Sequence, residues 1–217
     1  MCFSASASFS TATLLLAAAL YARWVARTRF EKWLSLTPAL FSMQQAIEGM
    51  IWLLYPTAQW DILKYLLGYS YLLFSLTVWP LWFSMLLWNF EPRATRRKII
   101  GVFAGLGIVT SALSIVWTLI HGIEPQAECS HIVYNLSMPD SGFYAFLLVY
   151  CLSTLGPLFC TSIKGLRIFG FGVAISLAAA FIMYYEAMLS TWCFFAALMS
   201  LIIIYLIKTH QTKSAHL

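Results

Sequence analysis

A cluster of polar side chains lies inside an otherwise apolar stretch, residues 35–55, and has the chemistry to bind a ligand. Gln44 and Gln45 precede Glu48 by four and three residues, and Trp52 follows it by four, so in a helix all four project from one broad face. A carboxylate within a membrane span is costly, and such residues usually face a cavity or a partner. We therefore predict a polar binding site around Glu48. The alternative is a glutamate that only fastens neighbouring helices together.

A second group of side chains has the chemistry of metal ligands. The thiol of Cys2, the carboxylate of Glu48 and the imidazole of His131 are suitable ligands for zinc or copper, so they form a candidate metal site. The HExxH spacing typical of zinc enzymes is absent. The alternatives are a disulfide that joins Cys129 to Cys2 or to Cys193, or unpaired thiols.

Three more residues extend the candidate ligand site. Tyr134 lies in a long polar segment, residues 122–141, Glu186 lies in a tight turn, and Trp192 begins the last apolar segment. Long loops are disproportionately functional, so we expect this one to cover the mouth of the site. The predicted ligand-binding set is Gln44, Gln45, Glu48, Trp52, Tyr134, Glu186 and Trp192.

The elements that must position these residues are membrane-spanning helices. Of the 217 residues, 61% are hydrophobic and 10% are charged, whereas a soluble domain has about 25% charged residues. Runs of about 20 apolar residues cross a bilayer as helices, and these runs lack the alternation of barrel strands. The sequence predicts an all-α integral membrane protein, a seven-transmembrane-helix bundle forming a single transmembrane domain, residues 1–217. The predicted spans are 5–23, 35–55, 66–90, 99–121, 142–162, 166–185 and 188–207.

The basic residues predict the orientation of this bundle. All Lys and Arg residues except Lys64 fall on one face of a bundle whose seven helices alternate in direction. By the positive-inside rule, the N-terminus lies outside and the C-terminus is cytoplasmic, with a short cytoplasmic tail at residues 208–217. Topology and attraction to anionic lipid explain the basic loops. We therefore predict no binding to nucleic acid.

The motifs leave three classes of function open. Neither a GxSxG nucleophile motif nor a Walker loop occurs. The favoured hypothesis is a protein that binds or senses a small ligand or metal ion in an outward-facing pocket around Glu48. The alternatives are a metal-dependent membrane enzyme that uses Glu48 as acid or base and a small-solute transporter. The expected partners are the lipid bilayer and a small molecule or metal ion.

Five separated motifs carry a family resemblance. They are Met1-Cys2-Phe3-Ser4-Ala5, Gln45-x-x-Glu48-Gly49-x-x-Trp52, Glu91-Pro92 with Arg96-Arg97-Lys98, His131-x-x-Tyr134 and Trp192-Cys193-Phe194-Phe195-Ala196-Ala197. In this order they resemble a family of uncharacterised bacterial multi-spanning membrane proteins that open with Met-Cys-Phe-Ser-Ala. The resemblance implies a multi-pass protein of the bacterial inner (cytoplasmic) membrane and implies no particular activity.

Overall fold

The computed structural model describes residues 4–55, 61–128, 131–136, 139–163 and 165–214. About 84% of the described residues are helical, which agrees with the predicted helical class. Cys2 and Cys129 lie outside the described residues, so the metal ligand and the disulfide predicted for them stay predictions.

The described residues form ten α-helices, one turn of π-helix and a β-hairpin. In chain order they are α1 (Ala5–Val25), α2 (Arg29–Leu34), α3 (Leu36–Leu54), α4 (Asp61–Leu73), the π turn (Phe74–Val78), α5 (Trp79–Phe90), α6 (Ala94–His121), β1 (Glu124–Glu128), β2 (His131–Asn135), α7 (Asp140–Cys160), α8 (Leu166–Met183), α9 (Met188–Met199) and α10 (Ile202–Ser214). Helix α1 packs on α3, α5 packs on α6 and α7, and α8 packs on α9.

Six helical segments in the described part of the chain are long and apolar enough to cross a membrane. They are Ala5–Val25, Asp61–Phe90, Ala94–His121, Gly142–Cys160, Leu166–Met183 and Met188–Thr209. The segment Asp61–Phe90 joins α4, the π turn and α5, and Met188–Thr209 joins α9 to most of α10. Helix α3 carries the polar cluster around Glu48 and is not among the six. The protein is therefore a helical membrane protein, and a seventh crossing by α3 stays a prediction.

The second of these segments, Asp61–Phe90, contains a widened turn at its centre. Pro80 has no N–H, and its ring collides with the carbonyl one turn earlier, which favours the π turn at Phe74–Val78. Helix α6 contacts this region closely, because a Cβ atom on Gly107 would lie 2.6 Å from the carbonyl oxygen of Pro80. π turns are frequent at functional sites, and this one contains Ser75.

The polar segment at residues 122–141, predicted as a loop, contains the β-hairpin, which corrects the purely α-helical expectation. Strands β1 and β2 pair antiparallel and pack against α4 and α9. Gly122 has φ +72°, a conformation that glycine adopts without steric cost, and it lets the chain leave α6. Ile132 and Tyr134 are both buried, because alternate residues of a strand point to the same side.

At the other end of the bundle, Glu91 ties the end of α5 to the turn between α7 and α8. The carboxylate of Glu91 accepts hydrogen bonds from Thr161 Oγ1 and from the backbone N–H of Ser162, each at 2.8 Å. Arg96 donates to the carbonyl oxygen of Thr161 at 2.9 Å. Burial alone raises the pKa of Glu91, but the hydrogen bonds from Ser162, Thr161 and the Arg93 N–H outweigh it and hold the pKa below its usual value.

Candidate functional site

Glu48 lies in the interior of the bundle and joins α3 to α9. The residue is only 3% exposed. Its carboxylate accepts a hydrogen bond from Ser190 Oγ of α9 and another from Gln45 Nε2 at 3.2 Å. Gln45 and Glu48 are one helical turn apart and therefore share a face of α3. The carboxylate is thus held among the helices and away from the surrounding lipid.

Gln44 connects the same helix to the π turn. Its Nε2 donates to Ser75 Oγ at 2.8 Å, and its Oε1 accepts from Trp79 Nε1 at 2.8 Å. The carbonyl oxygen of Ser75 accepts from Tyr150 Oη at 2.5 Å, and Ser75 Oγ lies 3.5 Å from Cys193 Sγ. Five helical elements, α3, the π turn, α5, α7 and α9, therefore converge on one buried polar cluster.

The hairpin covers one side of this cluster with a tyrosine. Tyr134 of β2 stacks on Tyr71 of α4 with ring centroids 4.7 Å apart and planes 3° apart, and both rings are buried. Burial raises the pKa of Tyr134 well above its ordinary value, and the nearby Glu48 and Cys193 raise it further. The Tyr134 hydroxyl therefore keeps its proton and can donate a hydrogen bond.

Several buried polar atoms around Glu48 have no hydrogen-bond partner among the described residues. They are Gln45 Oε1, Trp52 Nε1, Tyr134 Oη and Thr191 Oγ1. Buried polar groups in proteins are almost always satisfied by another protein group, a water molecule, an ion or a ligand. Gln45 and Trp52 share the helix face of Glu48, so unpartnered hydrogen-bonding atoms lie near the buried carboxylate.

A small cavity adjoins the cluster. Its volume is about 20 Å³, and Trp79, Tyr150 and Cys193 line it together with apolar side chains. A cavity of roughly 10–15 Å³ or more holds one water molecule. Thr154 also lines it, and its hydroxyl finds no partner within the described ranges. The interior next to the cluster is thus not fully packed.

Two predicted tryptophans lie at the border of the cluster. Trp192 is buried, donates from Nε1 to the carbonyl oxygen of Val173 at 3.2 Å, and meets the ring of Tyr150 edge to face with centroids 5.5 Å apart. Trp52 is half-buried, and its indole N–H is buried. Trp192 therefore supports the cluster through Tyr150, and Trp52 offers a hydrogen-bond donor.

Glu186 and His131 occupy a different surface from Glu48. Both line a groove formed by β2 and the turn between α8 and α9. Glu186 is exposed, and the ring of His131 lies 4.7 Å from the ring of Tyr184. Glu48 is buried, whereas Glu186 is exposed. The membership of Glu186 in the ligand site stays a prediction.

The described residues do not assemble a metal centre or a disulfide at Cys193. No three His, Cys, Asp or Glu side chains in the described ranges lie close enough together to hold one metal ion. Cys193 is a free and buried thiol among the described residues, and the alternative of a disulfide with Cys129 stays a prediction, because Cys129 lies outside them. The metal site of Cys2, Glu48 and His131 stays a prediction, because Cys2 lies outside the described residues.

Sequence reasoning missed several members of the cluster, namely Tyr71, Ser75, Trp79, Tyr150 and Ser190. A signal was present for the first three, which are spaced four residues apart and therefore share one helix face, as Gln44, Glu48 and Trp52 do. Serine and tyrosine are common in membrane helices, so Ser190 and Tyr150 gave no comparable signal.

Comparison with known proteins identifies a family and no activity. No curated protein and no solved structure matches the chain. The sequence model of a family described as "Family of unknown function (DUF6629)" matches residues 1–216, which agrees with the resemblance to an uncharacterised family. The chain therefore belongs to this family of unknown function.

Proposed function

We propose that this membrane protein binds a small polar molecule or a cation at Glu48. The observation that carries the proposal is the buried carboxylate beside the unpartnered polar atoms of Gln45, Trp52 and Tyr134. An unsatisfied buried polar group costs about 1–3 kcal/mol, and a ligand that pairs with several of them recovers this free energy. Binding is therefore favoured where these atoms meet.

The chemistry of the side chains defines the kind of ligand. The Glu48 carboxylate and Gln45 Oε1 accept hydrogen bonds, so the ligand presents N–H or O–H donors or a positive charge. Trp52 Nε1 and the protonated Tyr134 hydroxyl donate, so the ligand also carries an acceptor. A molecule with both kinds of group on a small frame fits this pattern best.

The hairpin gives the site a means of reporting its occupancy. Tyr134 closes the cluster by stacking on Tyr71, and Glu48 is almost fully enclosed. A ligand that arrives from outside displaces the hairpin and then holds it through the Tyr134 hydroxyl. We therefore favour ligand sensing, in which the position of the hairpin depends on binding.

The proposal includes the seven-span topology. Counting α3 as a span, the hairpin and the outer end of α3 lie outside the cytoplasm, and the basic segments lie inside it. The site then faces the extracytoplasmic side of the bacterial inner membrane that the family resemblance implies. A ligand reaches it without crossing the bilayer.

Thermal unfolding of the purified protein in detergent tests this function. The panel contains amino acids, polyamines, sugars, short carboxylic acids, Zn²⁺ and Cu²⁺. We expect at least one member to raise the Tm of the wild type, and Glu48→Gln to remove that shift while it keeps the fold. A ligand at 100 times its Kd adds roughly 2.7 kcal/mol of stability.

The matched control is Asp61→Asn, which removes an exposed carboxylate at the start of α4. This variant should keep the full ligand-dependent shift. Equal shifts in the wild type and Glu48→Gln would contradict the proposed site, and so would a panel without any effect on the wild type. A response to Zn²⁺ or Cu²⁺ alone would select the metal-ion form of the proposal.

A further inference from the structure

A second candidate site lies on the outer surface of the bundle, at the opposite end from the hairpin. It is a groove of about 550 Å³ between α2 and α5, and Arg29, Trp33, Leu81 and Trp82 are among its lining residues. None of the Glu48 cluster residues lines this groove. The groove is therefore a separate surface from the Glu48 site, and what it binds does not depend on the proposed function.

The groove follows α5 for the depth of one lipid leaflet. It extends from Thr77 to Phe90, and at 1.5 Å per helical residue this is about 20 Å. The hydrocarbon core of a bilayer is roughly 30 Å thick, so one leaflet is roughly 15 Å. Helix α5 belongs to a membrane-spanning segment, and the open side of the groove therefore meets acyl chains.

The two tryptophans form the walls in the middle of the groove. Their ring centroids are 6.3 Å apart, and Trp82 Nε1 donates to Thr37 Oγ1 at 2.9 Å, which fixes the orientation of this ring. Trp33 of α2 is 44% exposed. An apolar chain can therefore enter from the side and lie against the aromatic surface that Trp33 and Trp82 form together.

A positive charge lies at the membrane-surface end of the groove. Phe30 packs edge to face on Phe90, the last residue of α5, with centroids 5.5 Å apart, which places the neighbouring Arg29 at that end. A capping box of Thr28 and Glu31 fixes the start of α2. Within the described residues, no carboxylate forms an ion pair with Arg29, so its guanidinium is available to an anion.

We propose that this groove binds an anionic phospholipid, with one acyl chain along α5 and the phosphate at Arg29. The charge of Arg29 complements the headgroup, and arginine matches phosphate oxygens with two parallel hydrogen bonds. The length and the apolar walls of the groove match a single chain in one leaflet. A zwitterionic lipid fills the same groove but gains less from Arg29.

Lipid-dependent thermal unfolding of the full chain in a neutral detergent tests the proposal. The probes are dioleoyl phosphatidylglycerol, dioleoyl phosphatidylcholine and inorganic phosphate. We expect phosphatidylglycerol to raise the Tm of the wild type more than phosphatidylcholine does, and Arg29→Gln to remove the difference between the two lipids. Inorganic phosphate should have no effect, because it lacks the acyl chain.

The matched control is Arg27→Gln, which removes an exposed basic residue that does not line the groove. It should keep the difference between the lipids, while Leu81→Trp, which fills the groove, should reduce the shift with both lipids. Equal effects of the two lipids on the wild type would overturn the proposal. An equal loss in Arg27→Gln and Arg29→Gln, or an effect of inorganic phosphate as large as that of phosphatidylglycerol, would also overturn it.

Discussion

Two buried glutamates differ in how fully their carboxylates are satisfied. Glu91 accepts hydrogen bonds from Thr161, from the N–H and hydroxyl of Ser162, and from the Arg93 N–H. The described donors to Glu48 are Ser190 and Gln45. An ionised carboxylate has about four acceptor sites, so Glu48 retains capacity for a further donor. Glu91 is therefore the more fully satisfied of the two carboxylates, and the ligand that we propose for Glu48 would supply the further donor.

The Tyr134→Phe variant distinguishes a ligand-binding role of the Tyr134 hydroxyl from a purely structural role. In the ligand-free protein, Tyr134→Phe should leave the free energy of unfolding unchanged or raise it by about 1 kcal/mol, because it removes a buried hydroxyl without a described partner. The same variant should weaken ligand-dependent stabilisation. Chemical denaturation with and without ligand measures both effects. A loss of stability without ligand and an undiminished ligand effect would contradict this role.

Glu91 should make the stability of the protein depend on pH. Its folded-state pKa lies below its usual value because of its hydrogen bonds, so its contribution is present above the unfolded pKa of about 4.3. That contribution is lost as the pH falls through the lower folded-state pKa. At pH 7, Glu91→Gln should reduce the free energy of unfolding by about 1–3 kcal/mol, with a smaller loss near pH 3. Denaturation at several pH values checks this, and a loss independent of pH would contradict it.

The close packing of α6 against α5 depends on Gly107, which has no side chain. Gly107→Ala places a Cβ atom 2.6 Å from the carbonyl oxygen of Pro80, so the helices must move apart, and we expect a destabilisation of about 1–3 kcal/mol. Gly105→Ala on the same helix meets no atom within 4 Å and should stabilise by about 0.5–1 kcal/mol. Thermal unfolding compares the pair. Equal effects of the two variants would contradict this packing.

The helices were predictable from the sequence because a backbone inside the bilayer must satisfy its own hydrogen bonds. An apolar run of membrane length does so as an α-helix. The hairpin was not predictable in the same way, since its strands are five residues each and β1 contains Pro125, a poor strand former. Gln44, Gln45 and Glu48 were identified because polar groups are conspicuous in a span. Ser75 and Ser190 were missed because their importance arises from long-range contacts with Gln44 and Glu48.

At the scale of the whole molecule, the two ends of the bundle have different roles. The hairpin end contains the Glu48 cluster and its aromatic cover. The other end holds the Glu91 tie and the lipid groove with Arg29, next to the basic segments. In our proposals, an anionic lipid holds the bundle at the end with the basic segments, and a ligand binds at the end with the hairpin.

The seven-span topology predicts opposite locations for the two termini. An epitope tag at the N-terminus should be accessible to antibody on intact spheroplasts, whereas a tag at the C-terminus should become accessible only after permeabilisation. The reason is that an odd number of spans separates the termini, and the basic segments keep the C-terminus inside. Accessibility of both tags from one side would show that α3 does not cross.

The most direct test of the Glu48 site is a cryo-electron microscopy map of the protein purified from its native membrane in lipid nanodiscs. The account predicts density that belongs to no protein atom, within hydrogen-bond distance of the Glu48 carboxylate and of Gln45 Oε1 or the Tyr134 hydroxyl. A map in which protein side chains alone surround Glu48, with neither space nor density beside it, would contradict the account and leave Glu48 as a fastener between α3 and α9.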